Sequence, residues 1–184
     1  DVSLAIDGNH VFSPEGARRF ADRVEAYNIA WFEEPVHAYD FAGYCELARD
    51  LPIIVAAGES VRNHYLFKPY LEAGVRHFQP TPSTFSGVKE WMMVRDMAAD
   101  NGLDFSSGGL PLFACPLMAT AGEDTMEEFL EVCNQPVLDC MEVTIENRDG
   151  RFHIPDLPGL PFRLDVEWLR RKGFLLSHMF YKAF

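Results

Sequence analysis

Residues 29–33 read IAWFE, a run of apolar side chains that stops on Glu33, with Glu34 and Pro35 following at once. A strand that is apolar throughout, rather than alternating apolar and polar, belongs to a parallel sheet covered on both faces. Charge at the end of a stretch built for burial therefore needs a reason. The same construction stands on either side of it. VSLAID, residues 2–7, ends on Asp7, and PIIVAAGE, residues 52–59, ends on Glu59. Between these runs lie helical patterns. Ser13 offers an N-cap with Pro14 at the first helical position, and Ala17, Phe20, Ala21 and Val24 recur at helical spacing. Phe41, Tyr44, Leu47 and Ala48 share one face of the next helix.

Working outward, YLFKPYLEAG reads as a helix distorted by Pro69. It is followed by the strand VRHFQP, the helix GVKEWMMVRDMAADNG, the strand LDFSS, the helical LFACPLMATAG and a strand EFLEV. The strand-end residues Asp7, Glu33, Glu59, Gln79, Ser106 and Glu131 are separated by 26, 26, 20, 27 and 25 residues. Repeats of that length predict an α/β chain, part of a barrel of alternating strands and helices, whose functional side chains gather at the carboxyl ends of the strands. A closed barrel of this type needs eight units and six are counted. A doubly wound open sheet competes, but no glycine-rich phosphate loop follows the first strand. From residue 141 the pattern changes. MEVTIENRDGRFHIP reads as a hairpin around Asp149 and Gly150, and DVEWLRR as a closing helix.

Composition narrows the function classes. With 184 residues, 48% of them hydrophobic, the chain can bury a sizeable core. A formal net charge of -12 argues against nucleic acid or an anionic membrane as the main partner and favours small molecules. No apolar run is long enough for a membrane span, and no signal-peptide pattern opens the chain. Cys45, Cys115, Cys133 and Cys140 lack close paired spacing, so they read as buried, reduced thiols of a cytoplasmic protein.

The equal spacing of Asp7, Glu33 and Glu59 gives the charged strand ends a purpose. At the carboxyl ends of successive barrel strands they converge on one small volume, where three carboxylates repel unless a cation holds them. Oxygen-only ligands select magnesium or manganese rather than zinc. Glu34, the neighbour of Glu33 on the strand, points the opposite way and reads as structural.

The motifs IDGN with Asp7 and Asn9, WFEEP with Glu33 and Glu34, AAGE with Glu59, and IPDLPGL near the end together resemble the barrel domain of the enolase superfamily, in its mandelate racemase and acid-sugar dehydratase branch. The resemblance covers nearly all of the chain. It implies Mg2+ held by Asp7, Glu33 and Glu59, and a reaction that begins by removing the proton alpha to a substrate carboxylate. It also implies that residues 1–140 are barrel units three to eight and that residues 141–184 form a hairpin and helix packed on the same domain. A capping domain and the first two barrel strands are then missing from the sequence. Relatives of this kind assemble as dimers or octamers, so a homo-oligomer is expected.

The general base is not evident. This branch places a lysine pair at the end of the second strand, an aspartate at the sixth and a histidine at the seventh. Thr81 and Gly108 stand at the latter two positions. Glu131 matches an eighth-strand glutamate that hydrogen-bonds the substrate carboxylate, and is a catalytic candidate against a plain solvated acid. His10, in the loop over the site, is a candidate proton donor to a leaving hydroxyl. Arg62 and His64 are candidates for gripping a polyhydroxy acid, and Asn9 for orienting a metal-bound water or a substrate oxygen. The remaining histidines, His37, His77, His153 and His178, read as structural. The expected activity is a magnesium-dependent lyase that dehydrates a sugar acid to a 2-keto-3-deoxy acid. A racemase or epimerase of a 2-hydroxy acid, a metal-binding protein without turnover, and a fragment that works only with a companion piece are the alternatives.

Overall fold

The computed structural model describes residues 2–122, 125–143, 145–174 and 177, so the reading of His178 falls outside the described residues. The chain divides into two compact units, Asp1–Glu128 and Phe129–Phe184.

The first unit alternates strand and helix: β1 (Leu4–Asp7), α1 (Pro14–Val24), β2 (Ile29–Glu33), α2 (Phe41–Asp50), β3 (Ile54–Ala57), α3 (Phe67–Ala73), β4 (His77–Phe78), α4 (Val88–Asp100), β5 (Asp104–Ser107), α5 (Pro111–Met118) and β6 (Met126–Glu127). The six strands pair in parallel and in chain order, β1 to β6, making a half-barrel sheet with helical crossovers. The sequence signals act where they stand. Ser13 Oγ accepts from Gly16 N and Pro14 opens α1. Asp40 caps α2 by accepting from Gly43 N at 2.9 Å. Pro69 falls in the first turn of α3, where a missing N–H costs no helical hydrogen bond, and the distortion expected there is a 3-10 turn, His64–Leu66, just ahead of the helix.

Aromatic side chains fill the space between sheet and helices. Phe32, Tyr44, Phe67, Tyr70, Phe78 and Trp91 are fully buried. Their polar handles are satisfied: Tyr70 OH donates to Ala38 O at 2.6 Å and Trp91 Nε1 to Pro80 O at 2.9 Å. Burying each such ring contributes about 1.5–3 kcal/mol. The strands at the two edges are less covered, with Leu4 of β1 and Met126 of β6 exposed.

Two expectations are corrected. The last strand of the sheet is Met126–Glu127 and not EFLEV, because β6 ends where its partner β5 ends: Met126 pairs with Ser106 and Glu127 with Ser107. Beyond Ser107 the chain turns away through Gly108 and Gly109 and offers no further ladder. The thiols are not all buried: Cys115 is buried, Cys140 half-buried, and Cys45 and Cys133 exposed, and all four are free.

The second unit holds α6 (Glu131–Leu138), β7 (Met141–Val143), β8 (Glu146–Arg148), β9 (Arg151–His153), β10 (Phe162–Leu164) and α7 (Val166–Arg171). β8 and β9 form the expected hairpin, Arg148 opposite Arg151, with Asp149 and Gly150 at φ 53° and 71° in the two-residue turn. β7 pairs antiparallel with β10, and Asp165 caps α7 through Trp168 N at 2.7 Å.

Candidate functional site

The carboxyl ends of β1, β2 and β3 bring acids side by side. Asp7 stands opposite Glu33 in the strand register, and Glu33 opposite Ala56, three residues before Glu59. The ladder continues past the strands, with Gly8 N donating to Glu33 O at 2.7 Å and Glu34 N to Ala56 O at 3.0 Å. Asp7 is held in a turn by its neighbour: Oδ1 accepts from Asn9 N at 2.7 Å and Oδ2 from Asn9 Nδ2 at 3.1 Å. The Asn9 amide thus orients Asp7. Glu33 Oε2 accepts from Gln79 Nε2 at 2.8 Å and from Trp31 Nε1 at 3.3 Å.

These groups share one field. Burial raises the Glu33 carboxyl above its ordinary value, opposed by the Gln79 and Trp31 hydrogen bonds and reinforced by the charges of Asp7 and Glu128. Burial raises Glu59 to about 7, and the charges of Glu34, Glu33, Glu128 and Asp7 add to it. Like charges crowded in this way are relieved by a cation or a proton. As the side chains stand, no group of three or more His, Cys, Asp or Glu among the described residues is drawn together tightly enough to hold a metal ion. The donor chemistry nonetheless fits a hard divalent ion, since all the acids at the strand ends offer oxygen and no thiol or imidazole joins them.

β4, β5 and β6 complete the rim. A Cβ on Gly108 would lie 3.0 Å from Glu128 Oε2, 3.2 Å from Glu59 Oε2 and 3.5 Å from Thr81 Oγ1. Glycine is what permits those oxygens to approach the end of β5. Gln79 Oε1 and Thr81 Oγ1 are buried, with no hydrogen-bond partner among the described residues. They are acceptors available beside the acids.

The candidates read from sequence separate here. Glu128 occupies the strand-end position that the sequence assigns to Glu131: its backbone N continues the ladder to Ser107 O at 2.9 Å, and its carboxylate faces Glu59 across Gly108. Glu131 is an exposed residue that opens α6 in the second unit. The two-residue β6 has no apolar run of its own, and Phe129 and Leu130 draw a sequence reading past it. His64 Nδ1 lies 2.8 Å from Glu90 Oε2, and the Arg62 carbonyl accepts from Ser86 N and Oγ at 3.0 and 2.6 Å. Both residues therefore tie the loop after β3 to the start of α4, and the Arg62 side chain is exposed. His10 has both ring nitrogens engaged inside the protein: Nδ1 is 2.9 Å from Val36 O, and Nε2 is 2.8 Å from Ser60 Oγ and 2.6 Å from Glu34 Oε2. Glu34 is turned inward and buried, as its place beside Glu33 implies.

Residues 1–168 match the family model described as enolase C-terminal domain-like, and the chain belongs to that family. It is similar to the L-talarate/galactarate dehydratase of Salmonella typhimurium, 29% identical over 171 residues that make up 91% of this chain and 41% of that protein. It is also similar to the D-galactarolactone cycloisomerase of Agrobacterium fabrum, 28% identical over 183 residues, 92% of this chain and 48% of that protein. Among solved structures, a racemase from Streptomyces coelicolor A3(2) with bound magnesium superposes with a TM-score of 0.84 at 26% identity, over 93% of this chain and 46% of that one. The chain spans less than half the length of these relatives.

Proposed function

We propose that this chain is the site-bearing part of a magnesium-dependent lyase that removes the proton alpha to the carboxylate of a sugar acid and expels the beta hydroxyl, leaving a 2-keto-3-deoxy acid. What supports this reading is the placement of Asp7 and Glu33 at the carboxyl ends of adjacent parallel strands, with Glu59 two residues past the next strand, each adding to the charge felt by the others. Asp7, Glu33 and Glu59 would hold Mg2+, with Mn2+ as a substitute. A divalent ion there supplies positive charge that offsets the second negative charge created when a proton leaves the carbon next to a carboxylate, an effect of several kcal/mol. Relatives that act on sugar acids, and similar structures with magnesium, support the substrate class and the ion.

The other residues divide the remaining tasks. Gln79 and Trp31 fix the Glu33 carboxylate, and Asn9 fixes Asp7. Glu128, across Gly108 from Glu59, takes the substrate-facing role expected of Glu131. Buried Thr81 Oγ1 and Gln79 Oε1 accept from substrate hydroxyls. No acid or base stands at Thr81 or Gly108, which favours one-sided elimination over racemisation, since inversion needs proton-transfer groups on both faces of the carbon. The lyase balances as loss of the alpha proton and the beta hydroxyl as water, followed by ketonisation of the enol. A cytoplasmic setting suits the four free thiols.

Assay of the whole protein with Mg2+ against a panel of sugar acids tests the reading. A 2-keto-3-deoxy product that disappears with chelator is expected. Epimerised acid without loss of water points to the isomerase, and no turnover of any acid points to a binding protein.

A further inference from the structure

His10, Glu34 and Ser60 meet in a hydrogen-bonded cluster to which the reaction assigns nothing. Each follows a different strand: His10 lies three residues after Asp7, Glu34 directly after Glu33, and Ser60 directly after Glu59. The Glu34 carboxylate, 1% exposed, accepts from Ser60 N at 3.3 Å and from Ser60 Oγ at 3.0 Å, and its Oε2 lies 2.6 Å from His10 Nε2. On the other side of the ring, Nδ1 meets Val36 O, which can only accept, so Nδ1 carries a hydrogen. The same carbonyl accepts from the OH of Tyr44, a fully buried residue of α2. The cluster is thereby anchored to the aromatic core.

The backbone is strained at the same place. Five non-glycine residues among those described have positive φ, and three of them are here: Asn9 at 44°, His10 at 64° and Glu34 at 35°. The other two, Asn28 and Asp149, end a helix and turn a hairpin, where such residues are at home. For histidine and glutamate the conformation is unfavourable and persists only where surrounding contacts enforce it.

We infer that His10, Glu34 and Ser60 form a clasp that fixes the mutual spacing of the three loops bearing Asp7, Glu33 and Glu59, so that His10 and Ser60 are positioning residues for the ion site. This takes from His10 the role of proton donor, because neither ring nitrogen is free to reach a ligand. The functional consequence rests on the proposed ion site; the coupling of the loops does not.

Two measurements on the full chain separate these claims. In the first, amide hydrogen exchange is followed without added metal in His10→Phe, Ser60→Ala and His10→Gln, the last keeping a donor toward Glu34. The clasp requires His10→Phe and Ser60→Ala to speed exchange in all three loops, residues 8–12, 34–36 and 58–61, while α4 keeps its protection. His10→Gln retains most of the wild-type pattern. Faster exchange confined to the mutated loop overturns the inference. In the second, Mn2+ affinity is read by electron paramagnetic resonance. His10→Phe and Ser60→Ala weaken binding by ~10- to 100-fold, as loss of a group supporting metal ligands does, and His10→Gln restores much of it. Unchanged Mn2+ affinity in both variants overturns the positioning role. If the wild type itself binds no Mn2+, the ion site falls and with it the positioning role, while the exchange data still decide the coupling of the loops.

Discussion

Asp7 and Glu33 are direct partners in the register of two parallel strands, so two carboxylates end β1 and β2 side by side. Such neighbours raise the free energy of the metal-free chain, and a divalent ion bound by both would relieve that repulsion.

Neutralising one of them therefore has two opposite effects. Glu33→Gln is expected to raise the melting temperature of the metal-free chain, because Glu33 is half-buried and carries charge beside Asp7 and Glu128. It is also expected to abolish the gain from Mg2+. That gain should reach about 2.7 kcal/mol in the wild type at an ion concentration one hundred times the dissociation constant. Melting curves with and without Mg2+ check both, and an equal Mg2+ shift in the variant contradicts the assignment.

A second acid sets a pH dependence away from the ion. Both Glu127 carboxyl oxygens are buried, and burial, then the charge of Glu128, push the group up to about 9 against an opposing contribution from the Ser107 hydroxyl. The folded chain keeps this proton at a pH where the unfolded chain has lost it. The contribution is thus complete below the ordinary carboxylate range and is lost as pH rises toward 9. Stability should fall over that window, and Glu127→Gln should flatten the fall and raise the midpoint at pH 8. Denaturant titrations at a series of pH values measure it, and an unchanged slope counts against the buried carboxyl.

Gly58 joins β3 to Glu59 at φ 141°, and a Cβ there would lie 2.8 Å from the Phe67 ring and 3.0 Å from Gln79 N. Gly58→Ala combines backbone strain with overpacking, at roughly 2–4 kcal/mol. Chemical denaturation should show that loss, and ion affinity should fall with it as Glu59 shifts.

Glu128 and Glu131 are separable by substitution. Glu128→Gln is expected to cut turnover at least tenfold with folding intact, whereas Glu131→Gln, on the exposed first turn of α6, leaves kcat/KM within about twofold. The reverse order would restore the sequence-based assignment.

What the sequence shows of this site follows from how each signal is made. β1 and β2 end on Asp7 and Glu33, and Glu59 follows β3 by two residues, each after an apolar run, so period and chemistry coincide, and the strand order and the N-cap of α1 are legible. β6 is two residues long and exposed at Met126, so it leaves no hydrophobic signature, and the apolar pair that follows belongs to the second unit. The partners of His10 and His64 are equally hidden: Ser60 and Glu90 lie 50 and 26 residues away, and no periodicity announces a hydrogen bond.

The most direct test is a crystal of the chain soaked in Mn2+, with the anomalous signal mapped. One strong peak is expected at the carboxyl ends of β1 to β3, with an oxygen from each of Asp7, Glu33 and Glu59 at roughly 2.0–2.3 Å. A peak bound elsewhere, or none at these three side chains under saturating Mn2+, would contradict the proposed ion site.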